Sequence, residues 1–188
     1  MTAALLFVLW SACWAQQAEP SLEDTTAFLK SKIEGSTATG VVDVQANGCL
    51  AMLSRSYSYP AFVVSNCNVS IRERQTSSDV VQTQNCYQSA EIPSRIETLA
   101  FSLSNLAVTS SHTQEWAATD IDKAATEYKR SIYGVVLQFN DPTKSSSNGK
   151  ASTSKEWTIL VQDRDMADRL MRAFVHAAEL CGAKKEAF

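Results

Sequence analysis

The hydrophobic period of the chain changes along its length, and each change marks an element. Ala3 to Trp14 is apolar on every side and turns abruptly polar at Gln16-Gln17. Leu22, Thr25/Thr26, Leu29 and Ile33 then recur at helical spacing. Ser21 precedes them as N-cap, acidic residues fill the first turn, and Gly35 follows, so an amphipathic helix is predicted over 22–34. From Val41 the period falls to two. Strands are predicted at 41–44, 49–59, 61–75 and 79–90, with turns at Asn47-Gly48 and at Thr76-Ser77-Ser78. A fifth strand follows Pro93, from Leu99 towards Val108. Residues 110–131 are polar, with Asp120 placed to cap a short helix through Tyr128. Strands at 132–139 and 157–161 flank a Ser/Asn/Gly/Lys-rich stretch, 140–155, which reads as a surface loop. The last element is a helix capped by Asp163 or Asp165. Its apolar stripe is Met166, Leu170, Ala173, Phe174, Ala177, Leu180 and Cys181, and Gly182 ends it. This order predicts an α+β, mainly β fold: a seven-stranded antiparallel barrel whose open end is plugged by the C-terminal helix, with a short N-terminal helix.

Composition narrows the setting. Of 188 residues, 45% are apolar and 20% charged, within the range of a globular domain with a genuine core. The formal charge of −3 gives no general attraction to nucleic acid or anionic lipid, so nucleic-acid binding is not expected. The N-terminal apolar run of about 12 residues is shorter than the roughly 20 that a bilayer core requires. With Cys13-Trp14-Ala15 supplying small residues before a cut after Ala15, residues 1–15 are expected to be a signal peptide. Residues 16–37 then form a linker and helix, and 38–188 the barrel. Export to the periplasm, envelope or medium follows. The alternative is a lipoprotein, since Trp10-Ser11-Ala12-Cys13 resembles a lipobox, and the protein would then meet a membrane only through a lipid on Cys13.

Past the signal remain Cys49, Cys67, Cys86 and Cys181, an even number in a chain bound for an oxidising compartment. With a turn at 76–78, Cys67 and Cys86 lie opposite each other on one hairpin, which leaves Cys49 for Cys181. Four free thiols are the alternative. No two cysteines have C-x-x-C spacing, so no metal is expected.

The order of elements resembles the pleckstrin-homology-like barrel. More specifically, the chain is similar to small secreted bacterial proteins of uncharacterised function, through the helix Leu22-Glu23-Asp24-Thr25-Thr26-Ala27-Phe28-Leu29, the strand start Asn47-Gly48-Cys49, and Met166-Ala167-Asp168-Arg169 continuing to Leu180-Cys181-Gly182. The resemblance implies a bacterial source and supports pairing Cys49 with Cys181. It transfers no activity.

No strong catalytic motif is present: no G-x-S-x-G, H-E-x-x-H, phosphate-binding loop or dinucleotide fingerprint. Asp163-x-Asp165 and Asp120-x-Asp122 read as helix caps. His112 and His176 have no evident nucleophile or acid beside them, so no catalytic residue, metal or cofactor is assigned. Trp116 in a polar connection and Arg72 with Arg74 on one strand face are the candidate partner contacts. The chain is therefore expected to be a non-enzymatic binding domain outside the cytoplasm, with protein or peptide as its ligand. An apolar-ligand carrier comes second, should the barrel be hollow, and an envelope hydrolase third.

Overall fold

A computed structural model describes residues 19–46, 49–81, 94–117 and 125–184. The signal peptide expected at 1–15, the turn residues 47–48 and Cys86 lie outside them.

Helix α1 (Leu22–Ile33) starts in a capping box: Ser21 Oγ accepts from the Asp24 amide at 3.1 Å and Asp24 returns to the Ser21 amide. Gly35, at φ +75°, turns the chain into the sheet. Strands β1 (Thr37–Ala46) and β2 (Cys49–Ser65) pair antiparallel down to Ala46 opposite Cys49. Next come β3 (Asn68–Val81), β4 (Arg95–Ser102), a single 3-10 turn at 103–105, β5 (His112–Glu115) and β6 (Ala125–Arg130). Strands β7 (Tyr133–Ser147) and β8 (Lys150–Val161) lead into the closing helix α2 (Arg164–Leu180).

All pairings are antiparallel. Seven strands follow the order β5-β7-β4-β3-β2-β1-β6, and β8 lies along the other edge of β7. The sheet curls but does not close as a barrel would: among the described residues no ladder joins β6 to β8. Side chains bridge the gap instead. Gln162 accepts from the Thr39 amide at 3.1 Å and donates to the Ser131 carbonyl at 2.6 Å, and the Leu160 amide donates to Tyr59 Oη at 2.6 Å.

Several expected boundaries move, each for a local reason. The hairpin tip lies at Asn66-Cys67, not at 76–78. Both residues have positive φ (46° and 63°) and Ser65 faces Asn68, the backbone of a two-residue turn. Strand β3 therefore runs straight through Thr76-Ser77-Ser78. At 58–61 of β2 the register slips by one residue around Pro60, which has no amide to give the ladder. The stretch 140–155, expected as a loop, forms most of the β7–β8 hairpin. Its turn is Asn148-Gly149 (φ 47° and 81°), and its bulge holds Pro142, with Asn105 bonding both backbone groups of Asp141. Residues 125–130 are strand, not the end of a helix, because they pair with β1.

The disulfide pairing is also corrected. Cys67 is bonded to Cys181, with Cα atoms 5.8 Å apart. Once Cys67 sits at a hairpin tip, it projects beyond the ladder to the C-cap of α2, where Cys181 stands. Cys181 is thus unavailable to Cys49, and Cys67 to Cys86.

Helix α2 lies against one half of the concave face. Asp163 caps it by accepting from the Met166 amide at 2.9 Å. Ala167, Leu170, Met171, Phe174, Ala177 and Ala178 are buried, while Leu180, expected in the stripe, is exposed. Phe174 meets Phe62 edge-on with ring centres 6.2 Å apart, and Leu29 and Ile33 of α1 join the same core as Ile71, Leu99 and Leu137. Helix α1 is thus part of the folded unit. Burial of this apolar set, at about 25 cal/mol per Å², is the main stabilising contribution. A smaller cluster of Ala38, Val42, Leu53, Tyr57, Ile132 and Leu160 fills the gap between β1 and β8.

Candidate functional site: the open end of the curled sheet

Because side chains alternate along a strand, one face of each strand points into the curl. In β3 the inward set is Val69, Ile71, Glu73 and Gln75, and in β4 it includes Glu97, Leu99 and Phe101. The inward face therefore changes character halfway along. Beneath α2 it is apolar and packed. Towards the other end it carries Arg55, Glu73, Gln75 and Glu97, faced across the cup by Ser145, Ser147, Ser152, Ser154 and Thr158 of the β7–β8 hairpin. These groups line an open cavity of about 530 Å³, within the range of small-molecule sites.

Most of the polar atoms here are already matched. Arg95 pairs with Glu97 at 2.5 Å and donates to Ser147 Oγ at 2.9 Å. Ser145 bonds Ser152 at 2.8 Å, Thr98 bonds Ser146 at 2.6 Å, and Ser154 donates to the Glu156 carbonyl at 2.5 Å. The Glu156 carboxylate takes the amide of Gln138. Three donors in the wall are different. Arg55 Nε, Trp116 Nε1 and Trp157 Nε1 are buried and have no hydrogen-bond partner among the described residues. A buried donor left unmade costs about 1–3 kcal/mol, so three in one wall are a local concentration of unmet polar demand.

Glu73 is the most unusual acid of the site. Only 6% of it is exposed, and its carboxyl is hydrogen-bonded to Tyr59, whose own hydroxyl is fully buried. Burial, followed by the neighbouring charge of Glu97, pushes the Glu73 carboxyl from 4.5 up to about 7, against the opposing pull of Tyr59 and Arg95. Burial, followed by Glu73, drives Tyr59 well above its ordinary value, so it serves as a neutral donor. Glu73 and Glu97 face each other in the β3–β4 register, and Arg95 is bonded to Glu97.

Trp116 lies tilted against Tyr57, with ring centres 6.4 Å apart, and its amide donates to the Ile132 carbonyl at 3.0 Å. Gly134 makes room for this arrangement. A Cβ there would stand 2.8 Å from Thr158 Cγ2 and 3.5 Å from Trp116 Cε3.

Of the residues singled out in the sequence, Trp116 is brought into the cavity wall. Arg72 and Arg74 are exposed on the outer face of β3 and do not line the cavity. His112 is exposed with Nδ1 on the Ser110 carbonyl, and His176 lies between the helices with Nε2 on the Pro20 carbonyl; neither reaches the cavity. Among the described residues no group of three His, Cys, Asp or Glu is placed to hold a metal ion. Comparison with protein-family models, with curated proteins and with solved structures found no match to the chain. The site must therefore be read from its own chemistry.

Arg55, Glu73, Glu97 and Trp157 escape a reading that seeks motifs, since they are scattered over β2, β3, β4 and β8. One signal was present: Val69-x-Ile71-x-Glu73 puts a carboxylate in the inward phase of a strand, where an apolar residue is the rule.

Proposed function

We propose that this protein is a binding domain that acts outside the cytoplasm and holds a small polar ligand in the open end of the cup. The observation that carries the reading is the set of three buried, unpartnered donors in one wall of a polar cavity. The cavity moves the ligand from the protein or peptide expected on architecture to a small molecule, and its lining of hydroxyls, carboxyls and guanidinium groups does not suit an apolar cargo. A hydrolase built on His112 or His176 has no support, because neither approaches the cavity. The Cys67–Cys181 disulfide suits an oxidising compartment, and no described helix is long and apolar enough to cross a membrane. Together with the signal-like N-terminus, this supports export. The helix-plugged curl of antiparallel strands suits the resemblance to pleckstrin-homology-like barrels, with the β1–β8 gap bridged by side chains.

The test is a thermal-shift screen of small polar compounds on the wild type and on Ser145→Phe, which fills the cavity from β7. Compounds that raise the Tm of the wild type alone support the reading. Compounds that stabilise both proteins equally bind elsewhere and refute it.

A further inference from the structure

We propose that the ligand of this cavity is a small organic oxyanion, a carboxylate or a phosphate ester, anchored by the guanidinium of Arg55 and bonded by the indole N–H groups of Trp116 and Trp157. The inference rests on the cavity being the binding site and adds the chemistry of what fills it. It follows from which polar atoms are unmet. A polyol presents donors and acceptors in equal measure and needs both from its site. Here Ser145 is bonded to Ser152, Ser146 to Thr98, and Ser154 to the Glu156 carbonyl, while Glu97 is held by Arg95 and the Glu156 carboxylate by Gln138. The buried wall atoms left without a partner are donors alone: an indole N–H cannot accept, and neither can a guanidinium. Arg55 is half-buried with its Nε atom fully covered and unpartnered, and no ion pair to a carboxylate is seen for it among the described residues. A planar fork of N–H groups matches a carboxylate or phosphate in two parallel bonds.

Of the carboxylates nearby, Glu156 bonds only the neutral Gln138 amide and so is left as a charge against Arg55. Around Glu73 the charged and titratable groups of the cavity are Arg55, Tyr57 and Tyr59 from β2, Arg95 and Glu97 from β4, and Glu156 from β8. Glu97 is neutralised by Arg95, and Glu73 itself stays protonated up to about pH 7. At pH 6, therefore, Glu73 adds no negative charge to the cavity, and an anion is held more tightly than above pH 7.

Calorimetric titration at pH 6 with glucose, gluconate, glucose 6-phosphate and inorganic phosphate tests the class. These probes separate a neutral polyol from a carboxylate and a phosphate ester on the same carbon skeleton. The expected result is that gluconate or glucose 6-phosphate binds at least tenfold more tightly than glucose. Arg55→Gln should weaken that binding at least tenfold while Arg55→Lys retains part of it, with both variants melting cooperatively. Gluconate binding alone identifies a carboxylate site, and binding of glucose 6-phosphate or inorganic phosphate alone a phosphate site. Glucose binding as tightly as either anion, or anion binding indifferent to Arg55→Gln, overturns the oxyanion. If such binding is lost in Ser145→Phe, the cavity reading survives that failure. Anion binding retained in Ser145→Phe overturns the cavity as well, and absence of binding by all four probes overturns the class.

Discussion

Glu73→Gln isolates the most strongly perturbed group of the site. The side chain is buried beneath the cavity with its carboxyl on Tyr59, and folding raises it from 4.5 to about 7. Between those two values the folded protein binds a proton that the unfolded chain has released, so stability falls as pH rises. The stabilisation is complete below pH 4.5 and is lost as pH passes 7. At 1.36 kcal/mol per pH unit the full effect is about 3 kcal/mol, most of which is lost between pH 5 and pH 8. Glutamine keeps the shape and an oxygen to accept from Tyr59 but cannot ionise. Urea denaturation of both proteins from pH 5 to pH 8 measures the difference directly, because groups that do not interact with Glu73 contribute equally to both. The wild type should lose about 2–3 kcal/mol more than Glu73→Gln over this range. Parallel stability curves would show that Glu73 is solvated or fully compensated, and the description of the cup interior would be wrong.

Other consequences can be checked with the same apparatus. Cys67→Ser opens a link across a sequence separation of 114 and should cost about 4–5 kcal/mol under oxidising conditions, and peptide mapping of the non-reduced wild type should join Cys67 to Cys181. Gly134→Ala drives a methyl group into Thr158 and should destabilise by about 1–3 kcal/mol while shifting the emission of Trp116, both read in a fluorescence-monitored melt. Phe174→Ala removes the largest apolar side chain that α2 places in the core and should cost about 3–5 kcal/mol in urea denaturation.

The elements with strong local signals were legible in the sequence. Ser21 with Asp24 and Asp163 before Met166 are caps satisfied by near neighbours, Gly35 and Gly182 take positive φ, the 41–44 and 49–59 stretches carry a strand period, and 132–139 is a strongly apolar run. What failed was turn placement. Asn66-Cys67 carries no glycine, so nothing local marks it as a hairpin tip, and a run of serines further on looked more like a turn. That single error displaced the disulfide. The opposite error fell on 140–155, where composition suggested a loop although Asn148-Gly149 is a hairpin dipeptide, and long-range pairing with β4 made its serines one wall of the cavity. The site itself was legible only in Trp116. Arg55, Glu73 and Trp157 meet through the curl of the sheet, which no local pattern encodes.

From residue 16 onward the chain has two tryptophans, Trp116 and Trp157, and both stand in the cavity wall. Their indole N–H resonances in a ¹⁵N-labelled sample therefore report on the proposed site without background. Titration with a compound that raises the Tm should move both signals together and saturably. Signals that stay in place while the compound stabilises the protein would contradict the assignment of this cavity as the binding site.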